Sequence, residues 1–407
     1  MKKIAIISTD TLPLPLKLNI NDNFIYNNQN FSLKDKCSRA TGLGVRAWKI
    51  GEQLVKYFDT TIFIPSINYP GDNNIDYSKS PLNIKFNSYS YEDNLLTFDN
   101  KLYKELLNFD VIILVQAPSA LCYNVCSQLP KGKIFILDGW VPAILELSEG
   151  LLGYPKEDQL KTLNNFIPSY LDLIKRSNCI LYNADRHYFY YEGILASNIV
   201  SNIINKTKLI KLRFGIDENK KVLKPKNDKL KLLWYGPIYP WYNPERLIEV
   251  ISKYPNEIEL HFKAVKHPRY TGSYTRVFKD IFSNIPNNIL VNEEYNDNHA
   301  NLYNYYDAGI VFAKDTTQER FALRARVFDM LSYGFPVITN ENNAIFDEIN
   351  LKDSIYPINS FNLEEQLLLY AEFKETIIVS DESFKIIKDN FLWKNSIIDL
   401  VNYLQNL

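Results

Sequence analysis

Cysteine is scarce in this chain. Cys37, Cys122, Cys126 and Cys179 are the only four among 407 residues, too few and too scattered for a disulfide framework, so they predict buried thiols in a reducing cytosol. Histidine is equally scarce, and His187, His261, His267 and His299 show no metal-ligand spacing. Cys122 and Cys126 share a helix face and could recruit a metal, but without a partner motif core packing is the better reading. A charge imbalance is also missing: 46 basic against 47 acidic side chains give a formal net charge of -1. Nothing in this balance supplies a broad basic face, which argues against nucleic acid as a general partner. Long apolar runs are absent as well, since Ile4 to Ile7 is too short for a signal peptide or a membrane span. What is abundant is aromatic surface, with 28 Tyr and 23 Phe. A chain of 407 residues is two to three times a typical domain, so two domains are expected.

The most informative stretch runs from Thr316 to Pro336. Before it, Asp307 to Ala313 is an apolar run of the kind that fills a buried parallel strand, and Pro336 to Thr339 after it is another. A helix over Leu323–Tyr333 must cross between them, with Leu323, Val327, Met330 and Leu331 on its buried stripe. Arg324 and Arg326 then fall in its first turn, where the helix dipole repels cations unless an anion is bound. Together with unpaired backbone N–H groups they describe a diphosphate site. Local ion pairs, Arg326 with Asp329 and Arg320 or Arg324 with Glu319, are the competing explanation. The loop leaves the carboxyl end of a parallel strand, where open α/β sheets bind ligands, and that favours the anion site.

Along the chain, Lys3 to Ser8 reads as a buried strand, followed by a polar excursion to about residue 38. Gly42-Leu43-Gly44-Val45-Arg46 then opens a helix in which Gly42 and Gly44 allow close backbone approach, and Arg46 points to an anion or sugar contact. Strands are expected at 61–64, 83–86, 110–115, 133–137, 179–182 and 209–210, with helices at 98–107, 119–129, 160–176 and 186–195. Asp138 follows a strand directly, so it can either meet an incoming hydroxyl or cap the next helix. After a Lys-, Asn- and Pro-containing linker ending near Lys229, a second series begins: strands at 230–235, 258–262, 289–291, 310–312 and 337–339, and helices at 244–253, 274–282 and 323–333. The sequence thus predicts two doubly wound, Rossmann-like α/β domains, 1–212 and 213–392, with a C-terminal helix, part of 380–407, packing back onto the first from about 393.

These pieces resemble the GT-B glycosyltransferases, family 4 in particular. The resemblance rests on Gly42 to Ala47, Leu137 to Pro142 with Glu146, Asn183 to His187, Phe214 to Asp217, Trp234 to Pro244, Lys266-His267-Pro268, Glu319 to Arg326 and Asp329 to Val337, spread over most of the chain. It implies two Rossmann-like domains facing a cleft, with a nucleotide-sugar held mainly by the second and the acceptor mainly by the first. The implied reaction moves a sugar from a UDP-, GDP- or dTDP-sugar to a hydroxyl of a glycan, lipid-linked or protein acceptor. Retention of configuration is implied, with no tightly bound cofactor and no metal. It would place the protein in the cytoplasm or at the inner face of a membrane, in surface polysaccharide, glycolipid or glycoprotein synthesis.

Two departures matter. Family 4 places one carboxylate on donor-sugar hydroxyls and a second on the ribose; counting back from Gly334-Phe335-Pro336, the second is Asp329, but the first is Phe321. The resemblance therefore implies Glu319, two residues upstream, as the substitute. The usual basic pair after the first strand of the second domain is also missing, because Gly236 to Pro244 contains no Lys or Arg. Diphosphate charge would fall to Arg324, Arg326 and Lys266, with Gly236 and His267 as further donor contacts. His187 invites a general-base role, but its place at a helix start fits capping or packing better. A sugar-nucleotide epimerase of the same fold, and a catalytically silent binding subunit, are the competing functions.

Overall fold

The computed structural model describes residues 1–8, 23–26, 29–32, 42–65, 82–87, 89–92, 95–98, 100–115, 129–197, 207–263, 281–292, 299–349 and 353–407. Chain contacts divide it into two units. The first comprises Met1–Leu147, Lys156–Arg213 and Ser396–Leu407; the second comprises Ser148–Pro155 and Phe214–Asn395.

The strands of the first unit are β1 (Lys3–Ile7), β2 (Asn23–Tyr26), β3 (Gln29–Ser32), β4 (Asp59–Pro65), β5 (Asn83–Asn87), β6 (Tyr89–Glu92), β7 (Leu95–Phe98), β8 (Val111–Val115), β9 (Ile134–Asp138), β10 (Cys179–Tyr182) and β11 (Lys208–Lys211). Seven of them form one sheet in the order β11-β10-β9-β8-β1-β4-β5, and every pairing in it is parallel. Near-continuous Ile, Val and Leu are what such strands require, because helices cover both faces. Ile4, Ile6, Ile62, Ile64, Ile113 and Val115 share one core with Ala47, Ile50 and Leu54 of the helix Gly42–Leu54. The C-terminal segment belongs to this core: Leu400, Val401 and Leu404 pack into it, and Lys2 Nζ donates to the Leu404 carbonyl at 2.7 Å.

The second unit carries β12 (Leu230–Tyr235), β13 (Ile258–Lys263), β14 (Ile289–Asn292), β15 (Ala308–Val311), β16 (Val337–Asn340) and β17 (Ile355–Ile358). Their order is β14-β13-β12-β15-β16-β17, again all parallel. The chain runs outward from β12 to β14, then returns to β15 and runs outward the other way. The order reverses between β12 and β15, the topological switch point at which doubly wound sheets bind ligands beyond the carboxyl ends of their strands.

The expected α/β organisation is what forms, with local differences. Phe98 ends strand β7 instead of opening a helix, which begins at Asn100. The hairpins β2–β3 and β6–β7 and the edge strand β17 were not expected; β17 contains Pro357, which is tolerated at a sheet edge. The terminal helix is three pieces, Asp381–Phe391, Trp393–Ser396 and Ile398–Gln405. The polar excursion lies largely outside the described residues, as do the helix expected at 119–129, all but the end of the one at 274–282, and Cys37, Cys122 and Cys126. Cys179 is buried, and burial pushes its thiol pKa up, as expected for an inert core thiol.

Candidate nucleotide-binding site

The two segments leaving β12 and β15 are fastened together. Asn243 N donates to Phe312 O and Lys314 N to Trp241 O, and Tyr242 bridges Ala313. Asn340 at the end of β16 holds the same edge, accepting from Ala313 N at 2.8 Å and donating to its carbonyl at 3.0 Å. The switch point is therefore a rigid platform. At its start Gly236 turns with φ +100°, a conformation L side chains rarely adopt, and a Cβ there would meet the Arg326 guanidinium at 3.4 Å.

The helix expected over Leu323–Tyr333 is broken. Thr316 caps a short helix, Thr317–Phe321, by accepting from Glu319 N; Ala322 and Arg324 are extended; the second helix is Ala325–Ser332. Arg324 is thus the N-cap residue of this helix and only Arg326 lies in its first turn. The break lets Arg324 fold back: its Nη2 donates to Gln318 Oε1 at 3.1 Å and to Glu319 Oε2. Val327, Met330 and Leu331 form the buried stripe as expected, and Gly334, at φ +62°, ends the helix.

Arg326 reaches across to the Gly236 turn. Its Nη2 donates to Pro237 O at 2.7 Å, and its guanidinium lies 4.9 Å from the Tyr242 ring centre and 5.8 Å from that of Trp234. Arg324 lies over Trp241 and Tyr242, at 5.6 and 5.2 Å. Aromatic faces hold both cations, because a weakly hydrated guanidinium stacks well. Arg326 Nη1 and Trp241 Nε1 are buried and have no hydrogen-bond partner among the described residues. A buried donor left unpaired costs about 1–3 kcal/mol, so an acceptor at this place would be favoured.

Asp329 does not pair with Arg326. Its Oδ2 accepts from Tyr303 at 2.5 Å and faces His299 Nδ1 at 3.0 Å. Desolvation acts to raise its pKa, but the His299 imidazole and the Tyr303 hydroxyl outweigh it and hold the carboxyl below its usual range. Burial, reinforced by Asp329, pushes the Tyr303 phenol well above its ordinary value, so it stays a donor. His299 carried no motif in the sequence; only its spacing within His299–Tyr303, which puts the imidazole and the Tyr303 phenol on one helix face, could have drawn attention to it.

Three expected contacts are engaged differently. Glu319, anticipated on a donor sugar, is 2 % exposed; Arg324 holds one oxygen and Asn343 Nδ2 donates to the other at 2.8 Å. Its local-pairing alternative is what forms, while Arg320 instead approaches Asp315 at 3.7 Å on the surface. Arg46 and Asp138, anticipated on an anion and on an acceptor hydroxyl, meet each other: Nε donates to Oδ2 at 2.7 Å and Nη2 to Oδ1 at 2.8 Å, both side chains 0 % exposed. Arg46 also donates to Leu212 O and Arg213 O. The strand-to-helix geometry brings them together because the helix Gly42–Leu54 and the end of β9 lie at one sheet edge, and neither ion could be buried alone. Burial raises the Asp138 pKa and Arg46 opposes it. Gly42 starts the helix and Gly44 is buried within it. His187 is fully buried, as a packing histidine would be. Lys266 and His267 lie outside the described residues. Among those described, no group of three or more His, Cys, Asp or Glu could hold a metal ion, and no helix is long and apolar enough to cross a membrane.

No family model and no curated protein sequence matches the chain. Solved structures do. HepE of Anabaena in complex with UDP-glucose aligns over 100% of both chains with TM-score 0.63 at 10% identity. Sucrose-phosphate synthase of Thermosynechococcus elongatus aligns over 100% of this chain and 99% of its own, with TM-score 0.63 at 12% identity. The lipopolysaccharide outer core galactosyltransferase WaaB in its apo form aligns over 100% of both, with TM-score 0.58 at 9% identity. At such identities the likeness is one of fold: the chain has the GT-B architecture of these glycosyltransferases, two Rossmann-like α/β units.

Proposed function

We propose that this chain is a nucleotide-sugar-dependent glycosyltransferase of the retaining family-4 kind, its second unit binding the donor and its first unit the acceptor. One observation carries the reading: Arg326 sits at the switch point of the second sheet, against the left-handed Gly236 turn, with a buried Nη1 donor unpaired among the described residues. A diphosphate oxygen accepting from Nη1 would satisfy it, and the N-terminus of the helix Ala325–Ser332 would add its dipole. The structural relatives agree in kind, one of them holding UDP-glucose.

Transfer requires the C1–O bond to the diphosphate to break while an acceptor hydroxyl closes on the sugar carbon and gives up its proton to the departing diphosphate oxygen. Charge develops on the leaving phosphate, where Arg326 and the helix N-terminus are aimed, and it is stabilised without reorganisation. Arg324 holds the loop through Glu319, and Asp329 takes the ribose. Asp138 and Arg46 shape the carboxyl edge of the first sheet from within. The acceptor we assign is a glycan, lipid-linked glycan or protein hydroxyl, with the protein in the cytoplasm or at the inner membrane face. Purified protein should be stabilised against heat by nucleoside diphosphates and nucleotide-sugars, and should release nucleoside diphosphate from a matching donor. An epimerase would return an altered sugar still attached to its nucleotide, a silent subunit would bind without turnover, and binding of no nucleotide would end the proposal.

A further inference from the structure

Beyond the phosphate contact, the second unit contains a polar chain that no sequence motif announced. His299 stands between two elements: Nδ1 is 3.0 Å from Asp329 Oδ2, and Nε2 is 3.2 Å from the hydroxyl of Tyr235. Tyr235 is the last residue of β12, immediately before Gly236. The histidine therefore ties the carboxylate on the helix Ala325–Ser332 to the turn against which Arg326 lies. The roles along this chain follow from its ends. Nδ1–H donates to Asp329, the Tyr303 hydroxyl donates to the same Oδ2 at 2.5 Å, and Nε2 shares a hydrogen bond with the Tyr235 hydroxyl. The Tyr303 ring is itself locked, stacked on Phe335 with centroids 4.6 Å apart and planes 6° from parallel.

Both donors converge on Oδ2. Oδ1 has no partner among the described residues, and the Asp329 side chain keeps 40% of its surface exposed while that of His299 keeps 25%. An ionised carboxylate pinned by one oxygen presents the other as an acceptor only, with lone pairs for two hydroxyl hydrogens. Asp329 is one helical turn beyond Arg326, so the two side chains share a helix face. A ligand that spans from a diphosphate to an acceptor seeking two O–H groups matches a ribose diol. A 2′-deoxyribose offers one hydroxyl fewer.

Resting on the nucleotide-binding reading above, we propose that His299 is a positioning residue that, with Tyr303, orients Asp329 to select ribonucleoside diphosphates over their 2′-deoxy counterparts. The class of donor narrows accordingly to UDP- or GDP-sugars, away from dTDP-sugars.

The test is to measure the affinities of UDP and dUDP, and of GDP and dGDP, for the wild type, His299→Ala and His299→Asn, with circular dichroism as the check on folding. Wild type should prefer the ribose form by about tenfold, the worth of one hydrogen bond to a charged group. His299→Ala should lose that preference through weaker ribose binding, with deoxy affinity little changed, and the donor KM should rise while kcat holds. His299→Asn, which keeps an N–H at the Nδ1 position, should restore most of the preference. Should His299→Ala fail to fold, Tyr235→Phe, which removes one hydroxyl, should show the same loss in weaker form. Equal weakening of ribose and deoxy forms, or no ribose preference in the wild type, overturns the selectivity while leaving nucleotide binding standing. Wild type that binds no nucleotide overturns both.

Discussion

Replacing Asp138 by Asn tests whether the Arg46–Asp138 pair is a structural clamp or a ligand-binding device. Both side chains are 0 % exposed, and the carboxylate accepts two of the guanidinium's hydrogen bonds, at 2.7 and 2.8 Å. Asn keeps one acceptor oxygen but removes the charge, leaving the Arg46 guanidinium buried with only neutral acceptors, that oxygen and the Leu212 and Arg213 carbonyls. Breaking a buried pair from one side costs about 3–5 kcal/mol. In a unit of this size each kcal/mol moves the midpoint by about 2–4 °C, so a fall of roughly 6–20 °C is expected. Replacing both partners, as in Arg46→Met with Asp138→Leu, removes the buried charges together and should cost far less than the two single changes summed. Thermal and urea unfolding followed by circular dichroism measure the wild type, Asp138→Asn, the two single changes and the double variant. A single substitution that leaves the midpoint unmoved while abolishing transfer would refute the clamp and return Asp138 to the acceptor.

Arg326→Ala should weaken nucleoside diphosphate binding by about ten- to a hundredfold, from the loss of about 1.5–3 kcal/mol in one charge-assisted contact, with little change in fold stability; calorimetric titration measures it. Glu319→Gln should lower nucleotide affinity and turnover in parallel, because Glu319 spends its oxygens on Arg324 and Asn343; turnover lost at unchanged affinity would instead favour a sugar contact. Asp329 has a depressed folded pKa, so the stability it contributes is fully present above its unfolded value of about 3.9 and is lost as pH falls through the lower folded value. Wild type should therefore lose its advantage over Asp329→Asn only in that acid window, and parallel acid unfolding of the two would contradict the assignment.

Most of the fold was legible because parallel strands buried on both faces read as unbroken apolar runs: β10 and β12 fall at the residues expected and most others within two or three. The elements that escaped are short or contradictory. β17 spells Ile-Tyr-Pro-Ile, and its proline argues against a strand until the edge position is known. The break at 322–324 escaped because Leu323, Val327, Met330 and Leu331 fit one helical stripe whether or not the chain is helical before Ala325. The site was legible only in part. A helix start with nearby arginines can be seen in one dimension, and Arg326 lies at the switch point. Which carboxylate meets which guanidinium cannot be, since Arg46 and Asp138 are 92 residues apart and His299 meets Asp329 only when the helices His299–Tyr303 and Ala325–Ser332 come together.

The most direct test of the account is a crystal structure of the protein with a nucleoside diphosphate bound. A phosphate oxygen should lie about 2.7–2.9 Å from Arg326 Nη1, beside the Gly236 turn and the N-terminus of the helix Ala325–Ser332. A nucleotide bound elsewhere, with Arg326 still held only by Pro237, would contradict it.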